Sequence, residues 1–482
     1  MWLATYRKTY SRLLILVSAI KNYTTLVPVN NERFLGVRLL SSNQAIYQRV
    51  WQFAWPAIIS NMSVPLLGLV DAAVLGHLPS AEYLGGVAIG ATIFSFIFWA
   101  FGFLRMGTTG LVAQATGRKD VTAIRQWLLQ SIVLAVMIGL GIMLLSPLII
   151  AHALPLFQAS GAVSEQTRIY FDIRVLSAPA VLCNYAIIGW MVGMQKPRGP
   201  LVMLVTANSI NIVLNLVLVL GLGLATAGAA IATVIADYVS LLLGIILIFK
   251  NLKFLGGHFS SAMLKNKRAF GQLLLLNRHL FVRTLCLLFV QAFFTSRGAQ
   301  QGDAVLAANA LLLNLLMLIS NGLDGFAHAA EAMTGEALGQ KRVDRFRAVV
   351  RATGFCSLVC GLLFMMAFAI GGEALLSLLT DIDEVHNTAS DYLPWLIAMP
   401  LVAVWCYWLD GVFIGAVKTD LMQHTTLIAT IVVFLPAWYL SQALGNDGLW
   451  LAYSLFMVAR SVGLLIAYRW VDSRNQWRLR VV

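Results

Sequence analysis

The sequence predicts an all-α polytopic membrane protein of twelve transmembrane helices, arranged as two six-helix lobes related by a pseudo-two-fold axis along the membrane normal. Three observations lead there: an apolar composition, a regular alternation of apolar segments with basic loops, and an internal repeat. The composition comes first. Of 482 residues, 59% are hydrophobic and 11% charged, with a mean hydropathy of +0.80. Soluble chains carry about 25% charged residues. A protein this apolar could not cover its surface in water, so lipid must surround most of it. The net charge of +13 does not indicate a nucleic-acid partner, because the basic residues sit in short runs between apolar stretches. Cys183, Cys286, Cys356, Cys360 and Cys406 all fall inside apolar stretches and form no CxxC pair. They read as reduced residues packed between helices, and no metal site is indicated.

Apolar segments occupy 51–77, 84–107, 127–151, 168–193, 200–222, 227–249, 270–296, 304–330, 349–371, 389–416, 424–443 and 448–470. Each approaches or exceeds the roughly 20 residues that cross a bilayer. With the N-terminus placed in the cytoplasm, the cytoplasmic loops hold Arg118, Lys119, Lys196, Arg198, Lys250, Lys253, Lys265, Lys267, Lys341, Arg342 and Lys418. The opposite loops hold only Arg168 and Arg297, and 372–388 is acidic. That asymmetry orients all twelve segments and puts both termini in the cytoplasm. The organisation expected is a basic extension 1–45, a first lobe 46–250, a linker 251–268, a second lobe 269–470 and a basic tail 471–482. Residues 13–20 are too short to span and lack a small-residue cleavage site. The extension therefore reads as cytoplasmic, or as sequence upstream of the true start.

The repeat has an offset of 222. GWMVGMQK at 189–196 answers GVFIGAVK at 411–418, and Gly76, Gly117, Lys119, Arg125, Gly139 and Tyr170 pair with Gly298, Gly339, Lys341, Arg347, Gly361 and Tyr392. An even number of helices per half keeps both halves in one orientation, as in parallel-repeat transporters. Such a frame puts a substrate between the halves and alternates access by rocking one against the other.

Ionisable residues within a bilayer are functional candidates by default. Asp71, in VPLLGLVDAAVLGHL, has Phe293 at the equivalent position of the second half, so it is an acid without a repeat partner. An Asp in apolar surroundings loads and releases a proton nearer neutral pH, and Asp71 is read as the cation-coupling residue. Pro56 and Pro65 lie on the same segment. Pro65 frees the carbonyl of Asn61, which with the Asn61 side chain is a cavity candidate. Asn208, Asn211 and Asn215 share one helix face and are either cavity-lining or interhelical glue. Arg283 and Asp410 fall near mid-segment, and Asp410 is one candidate partner for that arginine. Arg105, Asp172, Arg174, Asp237, Asp324 and Arg460 read mostly as structural ion pairs, with Arg105, Asp172 and Asp324 near helix ends. His328, Glu331 and Glu336 read as an amphipathic surface turn rather than a metal site.

At VPLLGLVDAAVLGHLPSAEYLGGVAIGAT, FLRMGTTGLVAQATG, NGLDGFAHAAEAMTGEALGQ and WCYWLDGVFIGA the chain resembles the multidrug and toxic compound extrusion (MATE) transporters, specifically their DinF branch, over nearly all of 46–470. The resemblance implies two six-helix lobes forming a V, and efflux of organic, often cationic, compounds driven by H⁺ or Na⁺ across the bacterial inner membrane. It implies that Asp71 matches the first-helix acid used for cation coupling or drug contact. Some relatives carry Asn-xxx-Asp on the fifth helix where this chain has Asn211 and Asn215. The acidic pair of sodium-coupled relatives is not evident, and the seventh helix offers Arg283 instead. Both departures favour protons. The partners implied are a small organic substrate and the bilayer, with no nucleic acid and no cofactor beyond the coupling ion. A flippase for lipid-linked oligosaccharides is the alternative; it needs a more basic cavity for pyrophosphate, whereas these candidates are mixed in sign. An intramembrane enzyme needs a nucleophile and base or metal ligands on facing helices, and neither HExxH nor GxSxG occurs. The asymmetric acid disfavours a channel. No GxxxxGK[ST] loop is present to bind ATP.

Overall fold

Helices account for the whole fold because apolar backbone in lipid must satisfy its own hydrogen bonds. The computed structural model describes residues 43–76, 78 and 80–477, apart from the side chains of residues 43, 64–67 and 69–73. The first helix, α1, is Asn43–Gly76. Eleven further helices among the described residues are long and apolar enough to cross a membrane: α2 Ala81–Arg118, α3 Val121–Phe157, α4 Gly161–Gly193, α5 Arg198–Gly221, α6 Ala225–Leu255, α7 Lys267–Ala299, α8 Asp303–Gly339, α9 Val343–Leu379, α10 Asp383–Gly415, α11 Thr419–Leu440 and α12 Asn446–Ser473. Leu144, Ile370 and Leu440 are among many large apolar side chains pointing outward, which suits a hydrocarbon solvent.

Four helices are locally irregular. α2 breaks at Phe101–Gly102, and α4 passes through a 3₁₀ turn at Val175–Ser177 before Pro179. α5 ends in a π turn, Leu216–Gly221, and α11 contains another at Ala429–Phe434, just ahead of Pro436. In α11, Pro436 has no N–H for the preceding turn, and the wider turn absorbs the mismatch.

α1–α6 and α7–α12 form the two lobes, and the repeat offset of 222 reappears as geometry. In the first lobe a Cβ on Gly189 would lie 2.4 Å from the Arg105 carbonyl oxygen; in the second, one on Gly411 would lie 2.4 Å from that of Ala327. One turn on, Gly193 abuts Thr109 and Val112 just as Gly415 abuts Glu331 and Thr334. Every residue in the second set is the first plus 222. α2 thus packs on α4 as α8 packs on α10, backbone against backbone, because glycine removes the side chain that would hold them apart.

The caps repeat too. Lys119 and Lys341 adopt left-handed φ values of 58° and 60°, and Gln195 and Val417 values of 64° and 58°. After each, the next backbone N–H reaches five residues back: Asp120 to Ala115, Lys196 to Met191, Arg342 to Ala337 and Lys418 to Phe413. These are Schellman-type stops. They end α2, α4, α8 and α10 at one end of the bundle.

The helices overrun the apolar segments read from sequence. The segment 304–330 belongs to Asp303–Gly339, and 349–371 to Val343–Leu379. The extra turns are polar, but other helices satisfy them, so a hydropathy reading ends too soon. The extension 1–45 lies almost wholly outside the described residues. From Tyr47 onward the chain forms one unit.

Candidate functional site

The lobes meet where α2 and α8 cross, close to Lys119 and Lys341. A Cβ on Gly117 would sit 2.2 Å from the Glu336 carbonyl oxygen, and one on Gly339 would sit 2.1 Å from that of Gln114. Gly335 packs on Ala113, and Gly110 on the Ile414 carbonyl. With the backbones this close, polar side chains can reach across. Gln114 Nε2 donates to the Gly415 carbonyl at 2.9 Å, and Gln195 Nε2 donates to that of Ala332 at 2.7 Å.

Two ion pairs flank this crossing. Arg105 on α2 grips Glu331 on α8 with both guanidinium arms, at 3.0 and 3.4 Å. Arg49 on α1 donates to Glu336 at 2.6 Å and to Gln195 at 2.9 Å. Glu331 is 2% exposed and Glu336 8%, so the surface turn expected at His328–Glu336 is instead a buried seam between lobes. Arg105 likewise does not lie at a solvated helix end: it follows the break inside α2, and its charge is met by Glu331. Asp324 falls in mid-α8 rather than at an end. For the α8 residues the cause is that the helix continues nine residues beyond the apolar stretch 304–330.

Within the second lobe Arg283 on α7 does pair with Asp410 on α10. Arg460 on α12 donates to the same Asp410 oxygen at 2.9 Å. All three side chains are buried, and Asp410 Oδ1 and the Nε of each arginine have no hydrogen-bond partner among the described residues. Two guanidinium groups on one carboxylate leave a net positive charge in the core. Taking such charges out of water costs several kcal/mol per ion, recovered only through the pairing itself.

In the first lobe Arg174 pairs with Asp237 at 2.6 Å, as a structural ion pair should. Asp172 is exposed. Asn215 donates to Asn211 at 2.8 Å and Asn211 to Thr233 at 2.9 Å, which ties α5 to α6. Asn208 instead reaches Ser63 Oγ on α1 at 2.9 Å. Asn61 on α1 donates to the Asn321 carbonyl on α8 at 3.3 Å, across the lobes. The asparagine face is therefore divided between helix adhesion and the α1 side. Pro56 is buried. Asp71 and Pro65 lie within α1, but their side chains fall outside the described residues. Along the helix Asp71 stands about 15 Å beyond Asn61.

Arg49, Gln114 and Gln195 were not singled out by sequence. One signal was present: Gln114 and Glu336 are repeat equivalents, each three residues before a paired glycine. A polar residue held at both copies of a glycine-rich crossing marks a contact between copies.

Two parallel-repeat six-helix lobes, joined near one end by glycine crossings and ion pairs, define the fold of a polytopic membrane transporter. The MatE family model matches twice, over residues 56–217 and 280–440, once in each lobe. The chain belongs to the MATE family of multidrug and toxic compound efflux transporters. It is 44% identical over 446 residues to the DNA damage-inducible protein F of Escherichia coli (strain K12), covering 91% of this chain and 94% of that one. It is 24% identical to the probable multidrug resistance protein NorM of Acinetobacter baylyi, over 84% of this chain and 91% of that one. A solved structure of MATE in complex with MaD3S superposes with a TM-score of 0.78, at 20% identity, over 89% of this chain and 97% of that one. That likeness speaks for the fold.

Proposed function

We propose that the protein exports organic, mainly cationic and amphipathic, compounds across a bacterial inner membrane by proton antiport, with both termini cytoplasmic and Asp71 as the coupling acid. The observation that carries the choice of ion is Asp410. It lies in the second lobe, yet two guanidinium groups share one of its oxygens, so a sodium ion loaded there would enter a cluster that already carries a net positive charge. Sodium prefers several oxygen ligands, and the neighbouring position on α7 offers Arg283 instead. The acid on α1 is Asp71, whose equivalent position in the second repeat holds Phe293. Alternating access follows from the seam. The contacts Arg105–Glu331, Arg49–Glu336 and Gly117–Gly339 close the Lys-bearing, cytoplasmic end, and the opposite end opens to release cargo. Export then requires these contacts to break and re-form in each cycle.

Purified protein in liposomes, with a fluorescent cationic dye and either a proton or a sodium gradient imposed, tests this reading. The dye should move with the proton gradient, stop when a protonophore collapses it, and ignore sodium. Movement driven by sodium alone would overturn the proton assignment.

A further inference from the structure

The end of α7 carries a charge that is held by rings rather than by an acid. Arg297 lies in the last turn of α7, and in the loops opposite the Lys-bearing end it and Arg168 are the only basic residues. None of the ion pairs among the described residues includes it. Its guanidinium lies 5.1 Å from the centroid of Phe293, one turn back on α7, and 4.6 Å from that of Trp438 on α11. Gln300 Oε1 accepts a hydrogen bond from it at 2.8 Å.

The two rings make a corner. Phe293 and Trp438 stand 4.9 Å apart at 86°, and Phe434 backs Phe293 at 5.4 Å and 79°. The shape of α11 brings them there. Its π turn, Ala429–Phe434, runs into Pro436, and the short helix that follows carries Trp438 one turn beyond Phe434, so both rings face α7. Phe434 is buried, whereas Phe293, Trp438 and Arg297 are half-buried, which leaves the corner accessible.

Perpendicular ring faces attract a cation that comes within about 6 Å of their centroids. Such a corner favours a weakly hydrated organic cation. A proton finds no basic atom there, and sodium would have to give up its water for rings. The guanidinium of Arg297 is itself a weakly hydrated cation that stacks on aromatic faces, and it is the present occupant. Its place in the helix also lets it leave, because the free carbonyls at the C-terminus of α7 attract a displaced guanidinium. The repeat sharpens the contrast between the lobes. Phe293 stands at Asp71 plus 222, so the position that holds an acid in the first lobe holds a ring in the second.

We propose that Phe293 and Trp438 form an aromatic binding site for the organic cation of a cargo, and that Arg297 occupies it as a tethered stand-in until cargo displaces it. This deepens the export reading and rests on its cationic cargo. Cargo arrival exchanges one cation for another at the rings, with no bond made or broken.

Equilibrium dialysis of benzyltrimethylammonium against the full chain in lipid nanodiscs tests the site. Arg297→Gln vacates the corner and should bind the probe about tenfold more tightly than the wild type, as expected for a partly desolvated cation on ring faces. Trp438→Leu in the Arg297→Gln background should remove that gain. Trp438→Phe in the same background should keep part of it, which separates a lost ring face from a disturbed helix. If the gain survives Trp438→Leu, it reflects only the loss of a nearby positive charge, and the aromatic site is wrong. If Arg297→Gln binds no more tightly than the wild type, Arg297 is no stand-in and the proposal falls. Dye transport by the same wild-type protein in liposomes decides the cationic-cargo reading separately. Transport without these binding changes removes the site alone, whereas no transport and no probe binding by any variant remove both.

Discussion

Gly117 and Gly339, equivalent residues of the two repeats, touch where α2 and α8 cross: a Cβ on Gly117 would come within 2.9 Å of the Gly339 Cα. The same Cβ would meet the Glu336 carbonyl oxygen at 2.2 Å. Backbone cannot yield as a side chain can. Gly117→Ala should therefore destabilise this closed seam by about 1–3 kcal/mol, the usual cost of overpacking. A cysteine pair placed across the lobes beside the crossing would cross-link readily in the parent protein and poorly in the variant. Undiminished cross-linking would mean that the crossing tolerates more room than the glycines suggest.

The Arg105–Glu331 pair lies beside that crossing. Removing one partner of a buried pair typically costs about 3–5 kcal/mol, because the other charge is left stranded. Glu331→Gln should lower thermal stability and slow transport, and the reversed pair Arg105→Glu with Glu331→Arg should recover part of both. A double-mutant cycle with no coupling between the positions would count against a gate made from this pair.

Asp410 gives an ordered prediction. Asp410→Asn leaves Arg283 and Arg460 both uncompensated, whereas Arg283→Met leaves Asp410 matched to Arg460. The first should be the more damaging, by about 3 kcal/mol or more, in thermal unfolding of the detergent-solubilised protein. Equal losses would mean that the two arginines do not share the carboxylate.

Asn215 donates to Asn211, whose own amide is committed to Thr233. Asn215→Asp replaces the donor with a second acceptor, at a cost of about 1–3 kcal/mol. A protonated aspartic acid can donate again, so the folded state raises the pKa of the new group. The sign follows: stability should be greatest in acid and fall as pH rises through that pKa. A melting temperature for Asn215→Asp that is flat with pH would contradict the hydrogen-bond chain described for α5.

Much of this architecture was legible in the sequence because lipid imposes a simple grammar. Apolar length set the twelve spans, and glycine and lysine at fixed offset set the two lobes. The Arg283–Asp410 contact was within reach because a buried arginine needs an acid. Arg460 as its second partner was not, since nothing in linear spacing brings α12 to α7. Glu331 and Glu336 misled for a physical reason. They sit past the apolar window of α8, where a lone helix would meet water, and only the other lobe's arginines make that stretch an interior. Asp324 misled the same way, since an Asp close to the apparent end of a span looks cheaply solvated.

The central claim is that Asp71 couples cargo movement to protons, and Asp71→Asn in proteoliposomes tests it most directly. With an imposed pH gradient, the wild type should move a fluorescent cationic dye. The variant should still bind the dye yet fail to move it against a concentration gradient. A variant that transports at the wild-type rate, with the same dependence on the pH gradient, would remove Asp71 from the mechanism.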